Sequence, residues 1–354
     1  MPRRITIRDI AERAGVHFST VSLALRNSPK LRPEVCKQIR AIAEELGYVP
    51  DPAMTALTAY RNSIRPVHYQ ATLAWVNNWP AQADLRRIRT FELYFQGALE
   101  RAGQLGYRID ELWLHAPGMT PASAHAILKA RNITGLLLAP QPFAHTPLGL
   151  DLSGFSPLAF GYSLQPSNLH VVTNHQYQSA SLLMRSLSEI GYRRIGLFLR
   201  SDWDEKVNGS YLSGLLFMQH HAPAADRVPP LLTKDGLEAE FIAWFKLHKP
   251  DVVVVVDRAV RGWIEKKLKL RIPEDVGLAN LNVDPNDPWQ AGISQNDRLI
   301  GATAVDFLAG MLQRNERGVP ATPIRTLVEG VWKNGHSVRS AGQAPVQRRK
   351  RRAS

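Results

Sequence analysis

The sequence predicts a small all-α head of the helix-turn-helix kind in front of a large α/β body built on two parallel sheets. Three observations carry this. Two short amphipathic stretches interrupted by a glycine fill positions 5–25, and a third runs from Pro33 to Gly47. From Ala71 onward, strand-sized apolar runs alternate with helix-length amphipathic ones. The chain of 354 residues is too long for one such sheet and ample for two or three domains.

In the head, Thr6-Ile-Arg-Asp9 has the form of a capping box, with the hydroxyl over the first turn and the carboxylate reaching back. Ile10, Ala11 and Ala14 then share one face, and Gly15 stops the helix. A second helix is expected from about His17 to Leu25, giving two short helices around a tight turn. Val21 and Leu25, four apart, are expected to face inward with Val16. Phe18, Ser19, Ser22, Leu23 and Arg26 fall on the other face. An exposed face of Phe and Leu among small hydroxyls suits base edges, thymine methyls and phosphates better than water. The third helix opens on Pro33 and closes at Gly47, and its Val35, Ile39, Ile42, Ala43 and Leu46 complete a small core.

Positions 50–60, Pro-Asp-Pro-Ala-Met-Thr-Ala-Leu-Thr-Ala-Tyr, are too short to hold a helix alone, because nucleation is costly. The segment is read as one that folds when paired with a second copy and pressed into DNA. In the body, strands are expected at Ala71–Val76, Arg108–Leu114, Gly135–Ala139, Leu158–Gly161, Ile195–Leu199, Val252–Val256 and Val276–Leu281. Helices are expected at Glu92–Leu105, Pro121–Arg131, Tyr177–Ile190, Tyr211–His220 and Leu237–Leu247. This alternation is that of βαβ units, with helices on both faces of each sheet.

Lys and Arg number 44 against 31 Asp and Glu, a formal charge of +13 that suits a polyanion. Arg3, Arg4, Arg8, Arg13, Arg26, Lys30, Arg32, Lys37, Arg40, Arg61 and Arg65 concentrate it at the front, and Arg348-Arg-Lys-Arg-Arg352 at the end. That final run follows a stretch without apolar periodicity, so 339–354 are expected to be a disordered basic tail. It is either an extra phosphate attractor or a solvated end. Cys36 is the single cysteine, which excludes an intrachain disulfide and a cysteine zinc cluster. No apolar signal core and no membrane-length apolar run is present, so a cytoplasmic, nucleoid-associated protein with no membrane partner is expected. The chain has no G-x-S-x-G, H-E-x-x-H or phosphate-loop motif, and His220-His221 lacks partners at metal spacing. No enzyme activity, catalytic residue, cofactor or metal is expected.

Ile5-Thr-Ile-Arg-Asp-Ile-Ala-Glu-Arg-Ala-Gly-Val16, Ser19-Thr-Val-Ser22 and Ala43-Glu-Glu-Leu-Gly-Tyr-Val-Pro50 resemble the lactose-repressor (LacI/GalR) family of transcription regulators through the whole head. The resemblance continues more weakly in the body, at Leu187-Ser-Glu-Ile-Gly-Tyr-Arg-Arg-Ile-Gly-Leu197, Lys249-Pro-Asp-Val-Val and Ile272-Pro-Glu-Asp-Val-Gly. It implies a periplasmic-binding-protein-like body of two Rossmann-like lobes with three crossovers and an effector cleft between them. The resulting layout is a head at 1–49, a hinge and linker at 50–65 and a body at 66–338. Lobe 1 takes about 66–170 and 296–324, and lobe 2 about 171–295 and 325–338. The partners implied are a double-stranded operator, a second copy of the chain, and a small sugar or sugar derivative that changes DNA affinity; repression is the expected sense. Two alternatives are a regulator controlled by a partner protein and a solute-binding protein.

By the same resemblance Phe18 and Ser19 would read bases, Thr20 and Ser22 would bond phosphates and Leu57 would wedge into the minor groove; Thr6, His17, Leu23 and Arg26 are the other residues expected at the DNA. His17 stands where Ser is usual, so the usual N-cap is replaced. Leu23 stands where Arg is common, and Thr55 where Arg is usual in the hinge. In the cleft, Asn174 lies near a common Asp, Val207 and Asn208 near a common Arg, Asp257-Arg258 replace an Asn-Asp pair, and Asn282 replaces an Asp. Trp75, Asn77, Asn174, Trp203, Asn208, Asp257 and Asn282 are the expected cleft residues, each either lining the cleft or satisfying loop backbone. A standard hexose fits this altered set poorly.

Overall fold

The computed structural model describes residues 5–25, 31–48, 71–165, 168–235 and 237–340. The hinge, Leu57, Thr55, Arg26 and the basic tail beyond residue 340 lie outside the described residues.

Three helices form the head: α1 (Ile7–Ala14), α2 (Phe18–Leu25) and α3 (Pro33–Glu45). The Asp9 carboxylate accepts from the Thr6 amide at 2.7 Å and the Thr6 hydroxyl at 2.6 Å, so the reach-back expected at Thr6 is formed. Gly15 ends α1 at φ 64, a left-handed conformation that a Cβ would strain. There the Val16 amide donates to the Ala11 carbonyl at 3.1 Å, satisfying an end-of-helix acceptor. The core of the head is Ile10, Ala11, Val21, Ala24, Cys36, Ile39 and Ala43. Ala24, not Leu25, is the fully buried partner of Val21, and Leu25 packs at the core's edge. Ala24 and Leu25 lie about 60° and about 40° round the helix from Val21, so both face the core, and the smaller Ala24 is the one wholly enclosed.

The body's first sheet is built from β1 (Ala71–Asn77), β2 (Tyr107–Trp113), β3 (Gly135–Leu138), β5 (Ser156–Phe160), β7 (His170–Asn174) and β13 (Arg325–Val328), in the order β13-β7-β5-β3-β1-β2. Two short strands, β4 (Thr146–Pro147) and β6 (Leu164–Gln165), pair beside it. Its helices are α4 (Asp84–Arg87), α5 (Arg89–Gln104) and α6 (Pro121–Ala130). The second sheet contains β8 (Ile195–Arg200), β9 (Leu231–Thr233), β10 (Val252–Val255), β11 (Gly277–Asn280), β12 (Ala291–Ser294) and β14 (Val331–Lys333), ordered β14-β12-β11-β10-β8-β9. Its helices are α7 (Gln176–Ile190), α8 (Ser201–Lys206), α9 (Ser210–His221), α10 (Glu238–His248) and the turn α11 (Val260–Gly262). α12 (Asp297–Arg314) returns to the first lobe and runs along α5.

All pairings are parallel except β12 with β14. Helices cover both faces, so β3, β5, β7, β10, β11 and β12 are buried at every position. This is why Val252–Val255 reads as a continuous apolar run. Each lobe has two apolar layers: one side of the first sheet gathers Leu73, Trp75, Leu137 and Leu158, and the other Ala74, Val76, Leu136 and Leu138. The lobe boundaries lie a few residues later than the sequence placed them. β7 and β13 pair from Arg325↔Val171 to Val328↔Asn174, so both belong to the first sheet and the crossovers follow Asn174 and Val328.

α5 and α12 approach closely at two glycines. A Cβ on Gly301 would overlap the Tyr94 carbonyl, and one on Gly97 would overlap the Arg298 carbonyl. The seam therefore fixes the first turns of α12 against the middle of α5.

Candidate functional site: reading head and interlobe cleft

The second head helix presents its N-terminal turn outward. His17, Phe18 and Ser19 are exposed, with Phe18 half accessible, while Thr20, Ser22 and Leu23 are partly buried. The absent serine cap is replaced in kind: His17 Nδ1 accepts from the Ser19 amide at 3.4 Å and lies 2.7 Å from the Ser19 hydroxyl. An imidazole nitrogen that accepts here puts the ring proton on Nε2, and the Ser19 hydroxyl proton points at His17. Ser19 then offers acceptor lone pairs outward. The His17 ring also packs against Phe18, with centroids 4.2 Å apart, which orients the exposed aromatic. Thr6 stays committed to Asp9 at the start of α1.

Between the lobes, the C-terminal ends of the strands converge, the usual crevice of open parallel sheets. Asn174, at the end of β7, donates from Nδ2 to Gln295 Oε1 at 2.9 Å and to the Tyr211 hydroxyl at 3.1 Å. Its Oδ1 accepts from Gln176 Nε2 at 2.8 Å and the Thr173 hydroxyl at 3.1 Å. Gln295, just beyond β12, also accepts from Ser179 and donates to the Leu281 carbonyl. These buried amides tie two of the chain crossings to α7 and α9.

Around that hub, side chains bridge lobe to lobe. Arg89 pairs with Asp284 at 2.8 Å, Asn282 Nδ2 donates to the Thr90 hydroxyl at 2.6 Å, and Lys206 Nζ donates to the Pro142 carbonyl at 3.2 Å. The Lys206 ammonium sits 5.7 Å from the Trp79 ring centroid and 5.5 Å from that of Phe91, within cation–π range. Burial pushes Lys206 down to about 8, with Asp202 opposing. Asp297 opens α12, where the helix dipole favours a carboxylate, yet burial pushes it up to about 7 and Arg89 only partly opposes this. Burial likewise raises the Tyr94 and Tyr211 hydroxyls, with Asp297 adding to both.

Of the residues expected in the cleft, Asn174 and Asn282 stand in it. Trp75 does not: it is 1% exposed and packs between Phe95 and Phe160, at 5.1 Å from each. Strand alternation explains this, since Trp75 shares its side of β1 with Leu73, under α5 and α12. Asn77 is buried with its amide spent on Gln82, Glu111 and the Trp79 backbone, holding the loop that carries Trp79. Asp257 accepts from the Ala259 amide at 2.8 Å and so serves loop backbone, and Asn208 is exposed at φ 57 in the turn before α9. Trp203 packs against the second-lobe core with Arg200 over its ring. Sequence reasoning missed Lys206, Tyr211, Gln295 and Asp297. For Tyr211, Gln295 and Asp297 the available signal was their position just after a strand or at a helix start on the same end of each sheet; Lys206, the last residue of α8, carried no such signal.

A three-helix reading head joined to a two-lobed α/β sensor body defines a DNA-binding transcription regulator. The profile of the bacterial regulatory proteins, lacI family, matches residues 6–51. The HTH-type transcriptional regulator GntR of Pseudomonas aeruginosa is 37% identical over 352 residues, covering 88% of this chain and 91% of that protein. The probable HTH-type transcriptional repressor ExuR of Bacillus subtilis is 47% identical over 47 residues, 13% of this chain and 14% of that one. The chain belongs to the lacI family of bacterial transcription regulators. Its fold matches that of the transcriptional regulator CelR in complex with cellobiose (TM-score 0.54, 17% identity, 94% of this chain and 100% of that one). It matches equally the Lac repressor bound to ONPG in its repressed state (TM-score 0.56, 16% identity, 95% and 100%). Among the described residues, no helix is long and apolar enough to cross a membrane, and no group of His, Cys, Asp and Glu is placed to hold a metal.

Proposed function

We propose that two copies of this chain hold a pseudo-palindromic operator in the cytoplasm and repress transcription until a small molecule enters the interlobe cleft. The observation that carries the reading is the exposed first turn of α2, where His17 both caps the helix and fixes Phe18 and Ser19. Phe18 offers an apolar edge for a thymine methyl. Ser19, its proton engaged by His17, accepts from an adenine or cytosine amino group. Leu23 replaces a guanine-reading cation with an apolar contact. Thr6, Thr20, Ser22 and Arg26 set register on the backbone, and Leu57 supplies the minor-groove wedge that kinks the centre of the site. The cleft supplies the switch: ligand contacts with Asn282 and the other side chains around the Asn174 hub change how the lobes are bridged, and hence the spacing of the two heads.

Selection of bound sequences from a random DNA pool at physiological salt tests this. A palindromic motif with a fixed centre is the expected result. Binding without any enriched motif overturns the base-reading role of α2 and leaves only nonspecific phosphate attraction.

A further inference from the structure

Resting on the effector site just proposed, the geometry points to its ligand class: a sugar acid, its carboxylate held by Lys206 and its hydroxyls donating to Asp297 and Asn282.

Lys206 is the first ground. Its ammonium projects from the second lobe onto Trp79, Phe91 and the Pro142 carbonyl of the first. Among the described residues no carboxylate lies within ion-pair distance of it; the nearby Asp202 is engaged by Arg200 at 2.7 Å. A part-buried cation held by one carbonyl and two ring faces is short of an anion, and its ammonium has three N–H donors to offer one. Arg89, the other cation at the cleft, is already paired with Asp284. Among the described residues that bridge the lobes, Lys206 is thus the cation without a carboxylate partner, which matches a ligand carboxylate.

Orphaned acceptors are the second ground. Asp297 is 7% exposed, and its Oδ1 is buried without a hydrogen-bond partner; the same holds of Asn282 Oδ1 and Glu92 Oε2. Buried oxygens without donors are costly, and hydroxyl groups along a sugar chain are donors at the right density. These atoms share one neighbourhood. Asn282 bonds Thr90, Thr90 and Glu92 flank Phe91 at the start of α5, and Arg89 acts electrostatically on Asp297. One end of the site therefore asks for a negative charge and the other for hydroxyl protons. A neutral hexose fills only the second demand. Burial also keeps about half of Asp297 uncharged at pH 7, which lessens its repulsion of the incoming carboxylate.

Calorimetric titration of the full-length protein tests the assignment, with D-gluconate, D-galactonate, D-glucuronate and D-galacturonate against D-glucose, D-galactose and glucose 6-phosphate. At least one sugar acid is expected to bind ten-fold or more tightly than its neutral counterpart. Lys206→Met, which keeps the apolar stem, is expected to cut acid affinity thirty-fold or more and leave neutral-sugar affinity within about two-fold. Lys206→Arg is expected to retain most of the acid preference, and thermal melting of both variants establishes that they are folded. Preference for a neutral sugar or the phosphate, failure of every acid to bind, or an acid preference that survives Lys206→Met overturns the ligand class. Operator binding is measured in parallel. A ligand that binds but never alters operator affinity overturns the effector reading instead, which separates the two failures.

Discussion

Replacing Asp297 with asparagine is expected to stabilise the ligand-free protein above neutral pH. The carboxyl is buried at the first turn of α12, with Oδ1 unpartnered. Burial raises it from an ordinary 3.8 to about 7. The folded state therefore holds a proton that the unfolded state gives up across that interval. Stability from this group is complete below about 4 and is lost as pH rises through about 7. At about 1.4 kcal/mol per tenfold change in proton affinity, the loss approaches roughly 4 kcal/mol by pH 8, an upper figure because the carboxylate can draw water as the lobes move. For a body of this size that corresponds to a Tm change on the order of 5–10 °C. Asparagine never ionises, so the variant and the parent are expected to melt alike near pH 4, with the variant pulling ahead between pH 5 and 8. Differential scanning calorimetry of both proteins across that range reads the difference and cancels every other titrating group. A Tm difference independent of pH, or a variant less stable at pH 8, refutes the reasoning: Asp297 would then be an ionised, partnered carboxylate.

Gly301→Ala is expected to cost about 3 kcal/mol or more, because the added Cβ meets the Tyr94 carbonyl at the α5–α12 seam; chemical denaturation measures it, and a neutral result shows that the seam yields. Gln295→Ala leaves Asn174 Nδ2 and the Ser179 hydroxyl without their shared acceptor and is expected to cost about 1–3 kcal/mol, read in the same assay. His17→Ala removes the ring acceptor from the start of α2 and frees the Ser19 proton. It is expected to lower head stability by about 0.5–1 kcal/mol and to shift base preference at the Ser19 position in pool selection, whereas an unchanged preference profile removes His17 from the reading mechanism. Leu57→Ala is expected to weaken specific operator binding sharply while the Tm stays constant, and undiminished affinity in an electrophoretic titration rejects the wedge.

What the sequence disclosed follows the range of the interactions involved. Thr6 with Asp9, Gly15 and Pro33 act within one turn of themselves, and the head was legible almost residue by residue. Leu25 and Val35 pack against its core as expected, while Ala24 and Cys36, which sit at the centre, went unread. Strands buried on both faces announced themselves as apolar runs. β7 and β13 did not, because His170, Thr173, Asn174, Arg325 and Thr326 break the apolar pattern, and only the pairing of the two assigns them to one lobe. The long α12 went unread although Ile300, Val305, Leu308 and Met311 lie on its buried face, because Gly301, Ala304 and Ala309 dilute the apolar pattern between them. The cleft was the least legible part. Parity along β1 decides whether Trp75 faces a crevice or a core, and Lys206 meets Trp79, Phe91 and Pro142 only after the chain has crossed between lobes.

That last contact bears on how the molecule signals. The bridges between lobes fall into two kinds. Asn174, Gln295 and Tyr211 form a buried, mutually satisfied hub at the crossings, and amides so placed lose more by separating than they gain from any ligand. Arg89–Asp284, Asn282–Thr90 and Lys206–Pro142 lie around that hub, each partly open to water. Each is a single polar contact that a ligand carboxylate or hydroxyl can replace in kind. The hub is suited to be the pivot and the outer bridges the latch. A ligand that takes over Lys206 and Asn282 withdraws two of the three outer bridges and leaves the pivot intact. The lobes then turn about the crossings without unfolding, and the free energy available for the turn is the difference between the ligand's bonds and those it displaces.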